Sequence, residues 1–186
     1  ALTSADIDFT NVASVDANDG DDQLNTSAAV LEAGTNEALT SSNISFTDIE
    51  SADLSDGILT GTSNADTFDV TGANSLTSAG INFSNVAAVN ADDGADQVNT
   101  DGADVSLFAE LGNAVDYALE TLGITFRETE NADLNGGTLA GSSEADSFEV
   151  NGAALTANAI SVTNAASGIN AGDGVDVLTV NDTNST

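Results

Sequence analysis

One apolar phrase returns five times along this chain: Ile7-Asp8-Phe9, Ile44-Ser45-Phe46, Ile81-Asn82-Phe83, Ile124-Thr125-Phe126 and Ile160-Ser161-Val162. The steps between the copies are 37, 37, 43 and 36 residues. A period of this size marks a stacked array, in which each unit buries its apolar face only against its neighbours. The phrases are therefore expected to pile up in register along a common axis. Function is then to be sought in the shape and surface of the array.

Two kinds of unit alternate. The first begins at Leu2 and recurs at Leu76 and Leu155; the second begins at Leu39 and at Leu119. The second kind has a Gly-punctuated return, Gly57-Ile58-Leu59-Thr60-Gly61 and Gly137-Thr138-Leu139-Ala140-Gly141. This divides one repetitive domain, 1–186, into units near 1–38, 39–75, 76–118, 119–154 and 155–186.

Within the units apolar residues mostly alternate with Asn, Thr, Ser or Asp, as in Ile81-x-Phe83 and Phe68-x-Val70. That is the period of a half-buried strand, and Asp-Gly and Asn-Gly clusters supply the turns. The pattern predicts an all-β chain, an elongated β-solenoid of the β-helix or β-roll type. Each unit has the size of two short coils. Tandem small β-sandwiches are the alternative. Two segments, Ser27 to Ala38 and Ala103 to Leu122, break the rhythm. In the second, Val105, Phe108, Leu111, Val115, Leu119 and Leu122 would line a helix, while Val105, Leu107, Ala109 and Leu111 alternate as a strand. A strand followed by a loop is the expectation there.

Charge limits what such an array can do. The 186 residues carry 31 Asp+Glu and one Lys+Arg, a net charge of −30. Arg127 is the only base, so nearly every carboxylate must be solvated, bind a cation or repel its neighbours. Repulsion at 4 Å costs about 1 kcal/mol per pair even in water. Nucleic acids and anionic membrane surfaces are unfavourable partners. Cys and His are absent, and no Lys is present. This removes disulfides, thiolate sites, His-based triads and Schiff-base chemistry. No stretch is apolar enough to span a bilayer as a helix.

The strongest chemical signal is a recurrent acidic turn leading into a strand. It reads Asn18-Asp19-Gly20-Asp21-Asp22-Gln23-Leu24, Asp92-Asp93-Gly94-Ala95-Asp96-Gln97-Val98 and Gly172-Asp173-Gly174-Val175-Asp176-Val177-Leu178. Glycine permits a tight turn, the second Asp points a carboxylate across it, and the apolar residue enters the core. The second kind of unit has a relative without the central Gly, Ala65-Asp66-Thr67-Phe68 and Ala145-Asp146-Ser147-Phe148.

The Gly-x-Asp-x-apolar phrase resembles the second half of the calcium-binding nonapeptide of bacterial repeats-in-toxin proteins. More broadly, the alternating units resemble bacterial surface proteins built from β-strand repeats. The resemblance implies weak, multiple Ca²⁺ sites at Asp19, Asp21, Asp22, Asp92, Asp93, Asp96, Asp173 and Asp176, with Asp66 and Asp146 completing them from the neighbouring turns. The departure is that these turns are single copies and the first Gly pair is mostly missing, so successive nonapeptides cannot share each ion. Ca²⁺ takes six to eight oxygens, and simple turn chemistry is the competing explanation for every Asp-Gly. An EF-hand is excluded, because Ser27 stands where its bidentate Glu belongs.

Among the Asn-x-Ser/Thr acceptor patterns, only the terminal pair at Asn181 and Asn184 is a candidate for glycosylation. No acid pair stands out as catalytic, and the chain is expected not to be an enzyme. A polysaccharide-acting β-helix enzyme is the minor alternative. The leading expectation is an extracellular structural protein, a segment of a surface filament, surface layer or adhesin. Leu2 opens a unit without a preceding cap, and Val180-Asn181-Asp182 stops where Asn99-Thr100-Asp101 continues, which suggests uncapped ends. Its partner would be itself, head to tail, or else surface glycans and other cell-surface proteins. A calcium-responsive adhesion module is the second reading.

Overall fold

The computed structural model describes residues 2–4, 7–34, 36–110, 113–166 and 168–181, with side chains from residue 10 onward except 110 and 113–116. Leu111, the side chain of Val115 and the glycosylation candidate Asn184 lie outside the described residues. The described chain contains no helix and is 55% strand, wound into a β-solenoid of about five turns. Parallel pairing links the coils into one network, separate only from the hairpin of Leu2–Ser4 and Ile7–Phe9. A solenoid, not a row of sandwiches, is what the alternation encodes.

The recurrent phrase is the second strand of a tight hairpin. Leu39 faces Phe46 and Ser41 faces Ile44 across the antiparallel pair. The same register recurs with Leu76 and Phe83, with Leu119 and Phe126, and with Leu155 and Val162. Each of these four hairpin tips has two left-handed residues, such as Ser42 (φ 51°) and Asn43 (φ 62°), or Ala79 (φ 49°) and Gly80 (φ 82°). This is the type I′ turn, whose twist matches that of the flanking strands. Two residues beyond each Phe or Val the chain turns a corner through another left-handed residue: Asn11, Asp48, Asn85, Glu128 and Asn164. Asn and Asp tolerate that conformation because a short polar side chain bonds locally.

The coils do not follow the sequence period. Ala29 pairs with Leu59, Leu59 with Val89, and Val89 with Phe126. On another column Phe68 pairs with Val98, Val98 with Ala132, and Ala132 with Val162. One coil thus takes about 30 residues, not half of a 37-residue unit. Each phrase consequently lands further round the coil than the one before. Phe46 stacks on Val15, Phe83 on Ala52, Phe126 on Val89 and Val162 on Ala132. The expectation that the phrases pile directly on one another is corrected: each rests on residues a few positions beyond the preceding phrase. The reason is that the sequence repeat is longer than one coil, so each phrase is carried further round the stack.

The core is the interior of the stack. Phe68, Phe83, Phe126, Leu59, Leu76, Leu119, Ile81 and Ile124 are fully buried. The Phe68 and Phe126 rings, from two different columns, meet at 6.1 Å between centroids. Burying such a side chain stabilises by about 1.5–3 kcal/mol. Ala103 to Leu122 forms two strands, Val105–Glu110 and Asn113–Thr121, paired antiparallel. The loop expected in its second half is therefore a strand, since Leu119 to Thr121 is needed as the hairpin partner of Ile124, Thr125 and Phe126. The lone base, Arg127, lies with its guanidinium 4.7 Å from the centre of the Phe108 ring, a cation–π contact.

Candidate functional site

The acidic turns fall on one structural feature, the place where a coil enters the strand that stacks on the coil before it. Here the backbone N–H of an acidic residue points along the solenoid axis and meets a carboxylate of the next coil. Asp22 N–H donates to Glu50 Oε2 at 2.7 Å, 28 positions on. Asp66 N–H donates to Asp96 Oδ1 at 2.7 Å, and Asp96 N–H to Glu130 Oε2 at 2.8 Å. Asp146 N–H donates to Asp176 Oδ1 at 3.1 Å. The polarity is uniform: lower N–H to upper carboxylate. The lower carbonyl in turn accepts from the residue after the upper acid, as in Gln97 N–H to Asp66 O and Asn131 N–H to Asp96 O, both 2.9 Å.

The turns themselves bind their own carboxylates. Asp66 Oδ2 accepts Thr62 N–H at 2.6 Å and Thr62 Oγ1–H at 3.0 Å. Asp146 Oδ2 accepts Ser142 N–H at 2.6 Å, and its Oδ1 accepts from Asn158 Nδ2 at 2.6 Å. A Cβ at Gly61 or Gly141 would overlap the carbonyl oxygen of Ala91 or Ala171 on the next coil, and would lie 2.9 or 2.8 Å from these same carboxylates. Asp96 is less well served. It is 0% exposed, and its Oδ2 is buried without a hydrogen-bond partner. Burial raises its pKa to about 6; the Asp66 N–H opposes this, while Glu130, Asp66 and Asp92 reinforce it.

Of the ten residues singled out from the sequence, the fold brings Asp66 to Asp96 and Asp146 to Asp176. Asp22 joins Glu50. Asp19, Asp21, Asp92, Asp93 and Asp173 are exposed on the turns. Glu50 and Glu130 were missed, although a signal was present: Glu50-Ser51-Ala52-Asp53-Leu54 and Glu130-Asn131-Ala132-Asp133-Leu134 match each other. A further set comes together only through stacking. Asp16, Asp19, Glu37, Asp48 and Glu50 line an open bowl of about 400 Å³. The Asp48 carboxyl there is raised, first by its hydrogen bond with Asp16, then by desolvation and by the charges of Asp16, Glu37 and Glu50.

Calcium at these turns would compete with backbone donors. The carboxylates of Asp66, Asp96 and Asp146 accept N–H groups, and an ion would have to displace those donors. Among the described residues no three carboxylates converge to hold a metal. The exposed acids remain accessible to ions from solution.

Asn side chains answer much of the remaining charge. Asn85 donates to Asp53 at 3.0 Å, Asn99 to Asp69 at 2.6 Å, Asn164 to Asp133 at 2.9 Å and Asn181 to Glu149 at 2.6 Å, each from the coil above. The Asn85 amide, aided by Ser55 N–H, holds the Asp53 carboxyl below its usual range. Thr138 does the same for Asp104.

Comparison of the chain with family models, with curated proteins and with solved structures gives no match. The arrangement has to be read on its own terms. It is a set of inter-coil clamps, in which carboxylates act as acceptors for backbone N–H groups.

Proposed function

We propose that the chain is a structural protein, a self-associating β-solenoid segment of an extracellular filament, surface layer or adhesin. The observation that supports this best is the repetition of one set of contacts from coil to coil. Asp66 to Asp96 and Asp146 to Asp176 use the same atoms with the same polarity. Such contacts extend without change to a coil supplied by another copy. A surface dominated by carboxylates and amides, with net charge −30, suits a hydrated exterior and disfavours nucleic acid.

Calcium enters this reading as a weak, multiple and external ligand. Exposed Asp19, Asp92, Asp93 and Asp173 would take it from solution, in the millimolar range common for extracellular modules. It would screen the coat rather than organise the fold. Adhesion to surface glycans or to other surface proteins is the alternative use of the same exterior.

Two measurements test the reading. Antibody labelling and protease accessibility on intact source cells should place the chain outside, and electron micrographs of the purified chain at high salt should show filaments one coil wide. A chain protected inside the cell, or one that stays as single short rods at every concentration, would overturn it.

A further inference from the structure

We infer that one outward face of the solenoid is a sideways contact between two copies of this chain, packed sheet on sheet about a two-fold axis. This rests on the self-association proposed above and adds a lateral contact to it. The face is built on four parallel strands, one from each of four successive coils. Ala28 lies beside Ile58, Ile58 beside Ala88 and Ala88 beside Thr125. Two residues further along, Val30, Thr60, Asn90 and Arg127 form a second line. The residues between the lines, Ala29, Leu59, Val89 and Phe126, are buried, so both lines face outward.

Charge singles out this face. The chain carries 31 Asp+Glu and one base, yet none of these eight positions is acidic and one of them is that base. The other parallel columns carry Asp53, Asp69, Asp133 and Glu149 at outward positions. Two copies approaching by those columns would set carboxylate against carboxylate. Here they meet through apolar and amide groups, with Ile58 50% and Val30 44% exposed. An apolar centre with charges at its rim is the build of a protein contact.

The face is also complementary to itself. A two-fold axis along the strands, between Ile58 and Ala88, lays the Ile58 of each copy over the Ala88 of the other. Ile58, Thr60, Ala88, Asn90 and Arg127 line, with Glu128, a hollow of about 640 Å³, which receives that side chain. The same axis lays each end of the face on the opposite end. At one end Arg127 extends across the strand Asn113–Thr121 toward Phe108, 4.7 Å from the ring centre. At the other end Glu32, two residues after Val30, extends over Thr40 and Ser45, whose hydroxyls donate to its Oε1 at 2.9 and 2.7 Å. Thr40 pairs with Val30, and Ser45 with Thr40. The guanidinium of one copy thus meets the Glu32 carboxylate of the other, twice per pair, as a charge-assisted contact.

The patch spans four strands at about 4.8 Å each, less than a standard interface, so pairing is weak, with a dissociation constant on the order of 0.1–1 mM. It belongs to concentrated chain rather than to a dilute grid. The chain has no Cys, which makes the contact trappable. Thr60→Cys in 0.5 M NaCl, which screens repulsion, is treated with a bis-maleimide of about 10 Å span, the spacing of facing sheets. It should link into dimers and stop there, as an isologous contact requires. Thr67→Cys, exposed on another column, should stay unlinked. Ile58→Ser should weaken pairing about tenfold or more by sedimentation equilibrium, since the side chain is buried twice, without changing the melting temperature of dilute chain. Arg127→Glu should abolish pairing, and adding Glu32→Arg should restore it. Association that Ile58→Ser and Arg127→Glu leave unchanged, or Thr67→Cys linking as fast as Thr60→Cys, would overturn this contact and leave self-association standing. A monomer at every salt and chain concentration would overturn both. If the dye anilinonaphthalenesulfonate then bound the parent but not Ile58→Ser, the face would belong to another kind of occupant.

Discussion

The backbone N–H of Asp66 and the Oδ1 of Asp96 lie 2.7 Å apart, joining residues 30 positions apart in the chain. Asp96 thereby occupies a place that suits a neutral acceptor better than a charged one. Its other oxygen is enclosed and unpaired.

The pH dependence of stability follows from that enclosure. In the folded chain Asp96 holds its proton up to about pH 6, against about 3.9 for an ordinary aspartate. Between these two values the folded state binds more protons than the unfolded state, so stability falls as pH rises through about 4 to 6. The loss is on the order of 3 kcal/mol, from about 1.4 kcal/mol per unit. Asp96→Asn keeps an acceptor for Asp66 N–H and removes the titration. Thermal melts at pH 4 and pH 7 should show a smaller drop for the variant than for the parent, and a higher melting temperature at pH 7. An unchanged drop would show that Asp96 is not the group responsible.

Thr129 gives a second expectation. It stands three residues after Phe126, as Ile49 and Val86 stand after Phe46 and Phe83, and its N–H bonds to Tyr117 O as theirs bond to Glu37 O and Asn74 O. Ile49 and Val86 are buried apolar residues, whereas Thr129 Oγ1 is buried with no partner. An unsatisfied buried hydroxyl costs about 1–3 kcal/mol. Thr129→Val, close in shape, should raise unfolding free energy by about 1 kcal/mol in urea titration. A lower midpoint would mean that the hydroxyl has an acceptor in solution.

Much of this architecture was legible beforehand, for a physical reason. Alternation in Ile81-x-Phe83 and Phe68-x-Val70 reports which face is buried, and each strand could be read without its neighbours. The unit starts at Leu39, Leu76, Leu119 and Leu155 turned out to be first strands of hairpins. What a single strand does not carry is which other strand lies on it. The pairing of Phe83 with Ala52, and not with Phe46, depends on how far the repeat exceeds the length of one coil. The acceptor role of Glu50 and Glu130 was hidden likewise, since their partners Asp22 and Asp96 lie a full coil away. Asp66 and Asp146 were visible as turn residues because Thr62 and Ser142 are only four positions off.

Close approach between coils explains Gly61 and sets a third test. A Cβ at Gly61 would overlap the carbonyl oxygen of Ala91 and come within 2.9 Å of Asp66 Oδ2. The obstacle is backbone of the next coil and cannot swing aside. Gly61→Ala should therefore destabilise by about 3 kcal/mol, at the upper end for overpacking. Gly72, at the end of the strand Thr67–Gly72, has open space around its Cβ position. Gly72→Ala should be neutral within about 0.5 kcal/mol. Equal effects in urea titrations of the two variants would show that steric contact between coils is not what selects glycine at position 61.

Salt dependence follows from stacking acids at coil spacing. Adjacent parallel strands lie about 4.8 Å apart, so like charges in one column sit well inside the screening length of about 10 Å at 0.1 M salt. The Asn85–Asp53 and Asn99–Asp69 bonds compensate by placing an amide donor against a carboxylate, but they leave the net charge of −30 untouched. With one base in the chain, screening has almost no attractive ion pairs to weaken and many repulsions to relieve. Melting temperature should rise by about 3 °C or more between 20 mM and 0.5 M NaCl, equivalent to roughly 1 kcal/mol for a chain of this size. An uncharged osmolyte at equal osmolality should give a smaller rise. A melting temperature that stays flat or falls with salt would mean that the carboxylates are already neutralised by protons or tightly held cations, and that the amide bonds between coils are not what makes so acidic a stack possible.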